Sequence, residues 1–70
     1  MKLSARNQLQ GIVRHVELGA VMAEVTVDVD GQQLVSAITR SSAERLGLAG
    51  GRPVTVFIKA TEVLLGVDET

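Results

Sequence analysis

Val21-Met22-Ala23-Glu24-Val25-Thr26-Val27-Asp28-Val29 places an apolar residue at every odd position and, Met22 apart, a polar one at every even position. Successive side chains of a strand point to opposite faces, so this alternation predicts a strand with one buried face. It runs into Asp30-Gly31, a pair suited to the two central positions of a type I′ turn, both of which need positive φ. Gln33-Leu34-Val35-Ser36-Ala37-Ile38-Thr39 follows and is expected to return as the second arm of a β-hairpin.

Outward from the hairpin the chain stays β-compatible. Gln8–Leu18 carries Ile12, Val13 and Val16, but the alternation shifts near Gly11, which predicts one long first strand with a bulge or bend there. After the hairpin, Ser41-Ser42-Ala43-Glu44-Arg45-Leu46 sets Glu three residues after Ser41, as in a capping box, and Gly47 follows as a helix stop. One or two helical turns are expected. Leu48–Pro53 must reverse the chain, with Pro53 at a strand start where its missing N–H does least harm. Val54, Val56 and Ile58 mark a fourth strand and Glu62–Val67 a fifth. The layout is all-β with one short helix, and it predicts a five-stranded, OB-like Greek-key barrel in a single domain over 1–70.

Composition bounds what such a domain does. The 70 residues hold 7 Lys+Arg against 8 Asp+Glu, one His, no Cys, no Trp, no Tyr and one Phe. A chain this short buries a small share of its surface and usually needs disulfides, a metal or association to compensate. Without Cys, and with 46% apolar residues, association is the support that remains, and a homo-oligomer is expected. No apolar run approaches the roughly 20 residues that span a bilayer. The start, Met1-Lys2-Leu3-Ser4, leads at once into Arg6, Asn7 and Gln8, unlike a secretory leader. We therefore expect a cytoplasmic protein without a membrane partner.

Several chemistries find no support. Asp28-x-Asp30-Gly31 resembles the start of a calcium loop, but Gln32, Gln33 and Leu34 follow and the closing Glu is absent, so a hairpin turn is the better reading. His15 has no Cys or second His to join it, and no site for a metal cation is expected. The serines lack a second His or a nucleophile elbow, so no enzyme is expected. OB barrels that bind single strands stack bases on aromatic rings in a basic groove, whereas this chain offers only Phe57 and a net charge of -1. No nucleic-acid partner is expected.

What remains is a set of small donors at predicted strand ends: Ser4-Ala5-Arg6-Asn7, Thr39 with Ser42, and Lys59-Ala60-Thr61. Hydroxyls, backbone N–H groups and fixed cations together suit a small oxyanion. The residues alone leave two other readings open, an OB module for single-stranded nucleic acid and a structural interaction module whose donors merely cap and bridge.

Four segments resemble the molbindin (Mop) family, small cytoplasmic molybdate-binding proteins whose domain also occurs as the TOBE or Mop module of molybdate-responsive regulators and molybdate transporter ATPases. They are Ser4-Ala5-Arg6-Asn7-Gln8-Leu9-x-Gly11, Gly19-Ala20-Val21-Met22-Ala23-Glu24-Val25, Ala37-Ile38-Thr39 followed by Ser42, and Lys59-Ala60-Thr61-Glu62-Val63. The resemblance implies the same barrel, assembled as a hexamer that is a trimer of dimers, holding molybdate, or tungstate as its analogue, at subunit interfaces for intracellular molybdenum storage or homeostasis. It assigns Ser4, Arg6, Thr39, Ser42, Lys59 and the backbone N–H of Ala60 to one dianion. A second kind of site near symmetry axes would fall at Gly19, Ala20 and Val21, with His15 nearby. Because the motifs reach both ends of the chain, a free-standing domain is expected. Because a hydroxyl can also accept a hydrogen bond, rejection of monohydrogen phosphate would depend on the hydroxyls being committed elsewhere.

Overall fold

A computed structural model describes residues 2–68. The chain runs β1 (Asn7–Leu18), β2 (Met22–Val29), β3 (Gln32–Thr39), α1 (Arg40–Arg45) and β4 (Pro53–Ile58), followed by a 3-10 turn at Ala60–Glu62. The strands form one antiparallel sheet in the order β3-β2-β1-β4. β1 is its spine. Asn7–Ile12 pairs with β4 from Ile58 back to Pro53, while Ile12–Leu18 pairs with β2 from Asp28 back to Ala23. The hairpin forms as its sequence demands, with Asp30 at φ 50° and Gly31 at φ 82° in the turn.

The irregularity of β1 lies at Arg14, where the pairing jumps from Val13↔Val27 to His15↔Thr26. The extra residue resets the alternation, so Val13 is fully buried, Val16 packs against the same core, and His15 is exposed. This corrects the bulge expected near Gly11. Gly11 is needed for another reason, because a Cβ there would meet Val27 Cγ1 at 2.6 Å and Asp28 O and Val29 Cγ2 at 3.0 Å. The alternation falters at Gly11 because β2 passes too close for a side chain. Arg14, set free by the bulge, reaches back to Asp28, its Nε and Nη2 donating to Oδ2 at 3.1 and 2.6 Å, and Asp28 Oδ1 accepts the N–H of Gly31 at 2.9 Å.

Val13, Val25 and Val27 form the buried core, with Val16, Val29, Ile38, Leu48, Val54 and Val56 packed against them. The concave face is not closed. Between the free edges of β3 and β4 lies an apolar trough of about 200 Å³, walled by Val25, Val27, Ile38, Leu46, Val56 and Phe57 among others. The expected fifth strand, Glu62–Val67, does not form within the chain, and among the described residues the sheet has four strands and no closed barrel. After the 3-10 turn the segment is unpaired, and Leu64 and Leu65 are each 93% exposed. A strand exists only through its partners, and this segment pairs with neither free edge.

The helix begins one residue before the stretch predicted. Thr39, not Ser41, is the N-cap: it is extended at φ -69° and ψ 148°, and its Oγ1 accepts the N–H of Ser42. The pairing of Thr39 with Met22 and the bond from Arg40 N to Val21 O at 2.7 Å hold Thr39 extended and start the helix at Arg40. Glu44, expected to complete a capping box, instead faces Arg40 one turn earlier at 3.7 Å. The stop is as predicted. Gly47 at φ 64° donates to Glu44 O at 3.0 Å and Leu48 to Ala43 O at 3.1 Å, a Schellman pair that turns Leu48 into the core.

The crowding at Gly11 and the ion pair at the bulge are both open to test. Gly11→Ala forces Val27 and β2 to shift and should cost about 1–3 kcal/mol in chemical denaturation at fixed protein concentration. The Arg14 guanidinium, with help from the Gly31 N–H, holds the Asp28 carboxyl below its ordinary value of 3.8. A lowered pKa stabilises the fold above the unfolded value, and the benefit fades as pH falls through the folded one. Asp28→Asn should therefore be less stable than the parent at neutral pH, with the gap closing below about pH 4.

Candidate functional site

The candidate donors fall into two clusters at opposite ends of the sheet. At one end, register places Arg6, which precedes Asn7, beside Lys59, which follows Ile58, because Asn7 and Ile58 are paired. Asn7 Nδ2 ties the two strands further by donating to Ile58 O at 3.0 Å. Ser4 and Ala60 flank this pair, and all four residues are exposed. Among the described residues neither Arg6 nor Lys59 forms an ion pair. Two uncompensated cations that adjoin the same end of the β1–β4 ladder form a locally positive end of the sheet, which suits an anion.

At the other end, Thr39 and Ser42 meet at the start of α1. Thr39 Oγ1 accepts the Ser42 N–H at 3.1 Å and donates to Ser42 Oγ at 2.8 Å, with Ser41 Oγ a further 3.4 Å contact. The Thr39 proton is thus committed, and the Ser42 hydroxyl proton is the one left to give outward. β3 ends here against the start of β2, which is next to the end of β1. At about 3.3 Å per residue, the 12 residues of β1 separate the two clusters by on the order of 30 Å. One chain therefore does not bring Arg6 and Lys59 to the same small anion as Thr39 and Ser42.

Gly19, Ala20 and Val21 form the β1–β2 turn, which packs on the start of α1 so that Ala20, Val21, Thr39, Arg40, Ser41 and Glu44 line one open groove of about 340 Å³. His15 is not in it. It stands four residues before Gly19, about 13 Å along the strand, with Nε2 3.9 Å from Glu17 on the exposed face. Arg40, which the sequence motifs pass over, joins turn and helix through its backbone N–H and through Nη1, which donates to Gly19 O at 3.2 Å. Its one sequence signal is a basic residue between two hydroxyl residues. Among the described residues no group of His, Cys, Asp or Glu could hold a metal ion, and no helix is long and apolar enough to cross a membrane. Phe57, the one ring, lines the trough and offers no open stacking platform.

The domain is thus a four-stranded antiparallel sheet with one short helix and two clusters of hydrogen-bond donors at its ends. Residues 3–65 match the TOBE domain. A probable molybdenum-pterin-binding protein of Haemophilus influenzae is 41% identical over 69 residues, covering 97% of this chain and 100% of that protein. A molybdate-binding protein from Sporomusa ovata has the same fold with a TM-score of 0.91 at 42% identity, covering 96% of this chain and 100% of that one. The cytoplasmic molybdate-binding protein ModG, solved with molybdate bound, also gives a TM-score of 0.91, at 43% identity, over 97% of this chain and 49% of its own. The chain belongs to the TOBE domain family and, within it, to the molbindin (Mop) proteins.

The Thr39 cap supports the hydroxyl cluster and the helix together. Thr39→Ala should lower stability by about 1 kcal/mol in denaturant titration, while Thr39→Ser should stay close to the parent because the hydroxyl remains.

Proposed function

We propose that this chain binds molybdate, with tungstate as its analogue, in sites completed between subunits of a homo-oligomer, and that it serves intracellular molybdenum storage or homeostasis in the cytoplasm without catalysing a reaction. The observation that carries this reading is the two uncompensated cations, Arg6 and Lys59, which adjoin the last pair of the β1–β4 ladder at the end of β1 away from the hydroxyl cluster. Relatives that share about two residues in five with the chain are named for molybdate or molybdenum-pterin binding.

In this proposal Arg6 and Lys59 offset the charge of the dianion, Ser4 and the Ala60 N–H add donors from the same subunit, and Thr39 and Ser42 come from a neighbour. Charge-assisted bonds to the oxyanion are about twice as strong as neutral ones. The Thr39 hydroxyl has its proton committed to Ser42, so Ser42 is the hydroxyl of this cluster that donates to the oxyanion. A second, weaker site uses the Gly19-Ala20-Val21 turn, with His15 approaching only through assembly. The hexameric trimer of dimers that the family resemblance implies is the proposed assembly.

Assembly also gives Glu62–Val67 a partner. We place it as the fifth strand, closing an OB-like Greek-key barrel across the trough between β3 and β4 and completing one domain over 1–70. As strand neighbours point to opposite faces, one of Leu64 and Leu65 then enters the trough, at about 1.5–3 kcal/mol for a side chain fully buried.

Isothermal titration with sodium molybdate, on a sample sized by light scattering, tests the function. Saturable binding by a particle several times the monomer mass is expected, surviving excess sulfate and phosphate. Arg6→Ala and Lys59→Ala should each weaken it by at least about tenfold without changing particle size. Unchanged binding in both variants would remove the cations from the site.

A further inference from the structure

The donors gathered at the Arg6 end of the sheet leave Asn7 and Gln8, the next two residues of the opening motif, with no part in the site. Both use their side-chain amides. Asn7 Nδ2 donates to Ile58 O at 3.0 Å, a half-buried bond between residues 51 apart in the chain, and Gln8 Nε2 donates to Ala5 O at 3.1 Å on the surface. Each acceptor belongs to the peptide bond that leads into a cation, Ile58–Lys59 in one case and Ala5–Arg6 in the other. A peptide unit is planar, so holding its oxygen also sets the direction of the following N–H and the place of the following Cα. Asn7 with Ile58 is the last pair of the β1–β4 ladder, which leaves Arg6 and Lys59 just beyond it. Their side chains form no ion pair among the described residues, so their placement depends on the backbone that carries them. Behind Lys59 the chain is tied again, as Lys59 O accepts the Glu62 N–H at 2.9 Å.

We infer that Asn7 and Gln8 are positioning residues for the oxyanion site, their amides bracing the peptide units that carry Lys59 and Arg6. The inference rests on the proposal that these two cations bind the anion, and it adds two residues outside the donor set. Asn is disfavoured in strands, and here it opens one because its short amide reaches across to the neighbouring strand. A cation whose backbone is already fixed loses less freedom when the anion arrives, so bracing raises affinity without adding a contact to the anion. The Asn7 bond, half-buried and joining two strands, is the stronger brace, and the Gln8 bond, exposed and within one short segment, is the weaker.

Isothermal titration of the assembled protein with sodium molybdate, arranged as double-mutant cycles, tests this. Asn7→Ala of unchanged particle size should bind about threefold to tenfold more weakly than the parent, the cost of ordering one long side chain. A residue that acts through Lys59 has nothing left to position once the ammonium is gone, so adding Asn7→Ala to Lys59→Ala should cost less than about twofold. A residue that merely holds the fold together would cost the same in both backgrounds. Gln8→Ala should weaken binding by about threefold in the parent and leave Arg6→Ala unchanged, and this cycle decides the matter if Asn7→Ala does not assemble. Parent-like binding by Asn7→Ala, or an equal loss with and without Lys59, overturns the role of Asn7, and the same results with Arg6 overturn that of Gln8. Either leaves the molybdate site itself in place. A parent that binds no molybdate overturns the functional proposal and this inference with it.

Discussion

β1 is bonded on one side to β4 through its first half and on the other to β2 through its second, so its length sets the distance between everything that matters here. The bulge at Arg14 lets one strand serve both neighbours while turning Val13 and Val16 to a common core. Its two ends hold chemically different donors, cations where it meets β4 and, through β2 and β3, hydroxyls at the start of α1. A tetrahedral oxyanion a few ångströms across spans only a small part of that distance, so a site using both sets has to be assembled from separate copies.

The same geometry accounts for the apolar surplus. A four-stranded sheet covers only one side of Val25, Val27, Ile38 and Val56, and the trough that results is matched by a segment whose leucines have nothing to bury against. Small domains without disulfides commonly find the missing burial in association. In the proposed assembly, an anion held by two subunits would stabilise the oligomer increasingly as ligand concentration rises.

Much of this is legible in the residues. The β2–β3 hairpin, its Asp30-Gly31 turn, the helix stop at Gly47 and the strand starting at Pro53 follow from local rules that tertiary context leaves alone. The bulge shows in the sequence only as a broken alternation, and its place is obscured because Gly11 breaks the pattern too, for want of space against Val27. The cap is masked because Ser41 and Glu44 satisfy a local pattern, whereas Thr39 is fixed as cap by pairing with Met22 on another strand. The expected fifth strand, Glu62–Val67, is legible only as apolar sequence, because in the structure the segment pairs with neither free edge, that of β3 or that of β4. The donor residues can be chosen from motif resemblance, but their separation into two distant clusters emerges only from the register of β1. Arg40 escapes sequence reasoning because its partners, the carbonyl groups of Gly19 and Val21, lie some twenty residues away.

The central question is whether the two clusters act across a subunit boundary. Subunits carrying Arg6→Ala with Lys59→Ala and subunits carrying Thr39→Val with Ser42→Ala, each silent toward molybdate as pure assemblies, should be co-expressed and the mixed assembly titrated. Recovery of molybdate binding in the mixture is the predicted result, because an intact cationic end of one subunit then meets an intact hydroxyl end of another. A mixed assembly of normal size that remains silent would contradict a site shared between subunits.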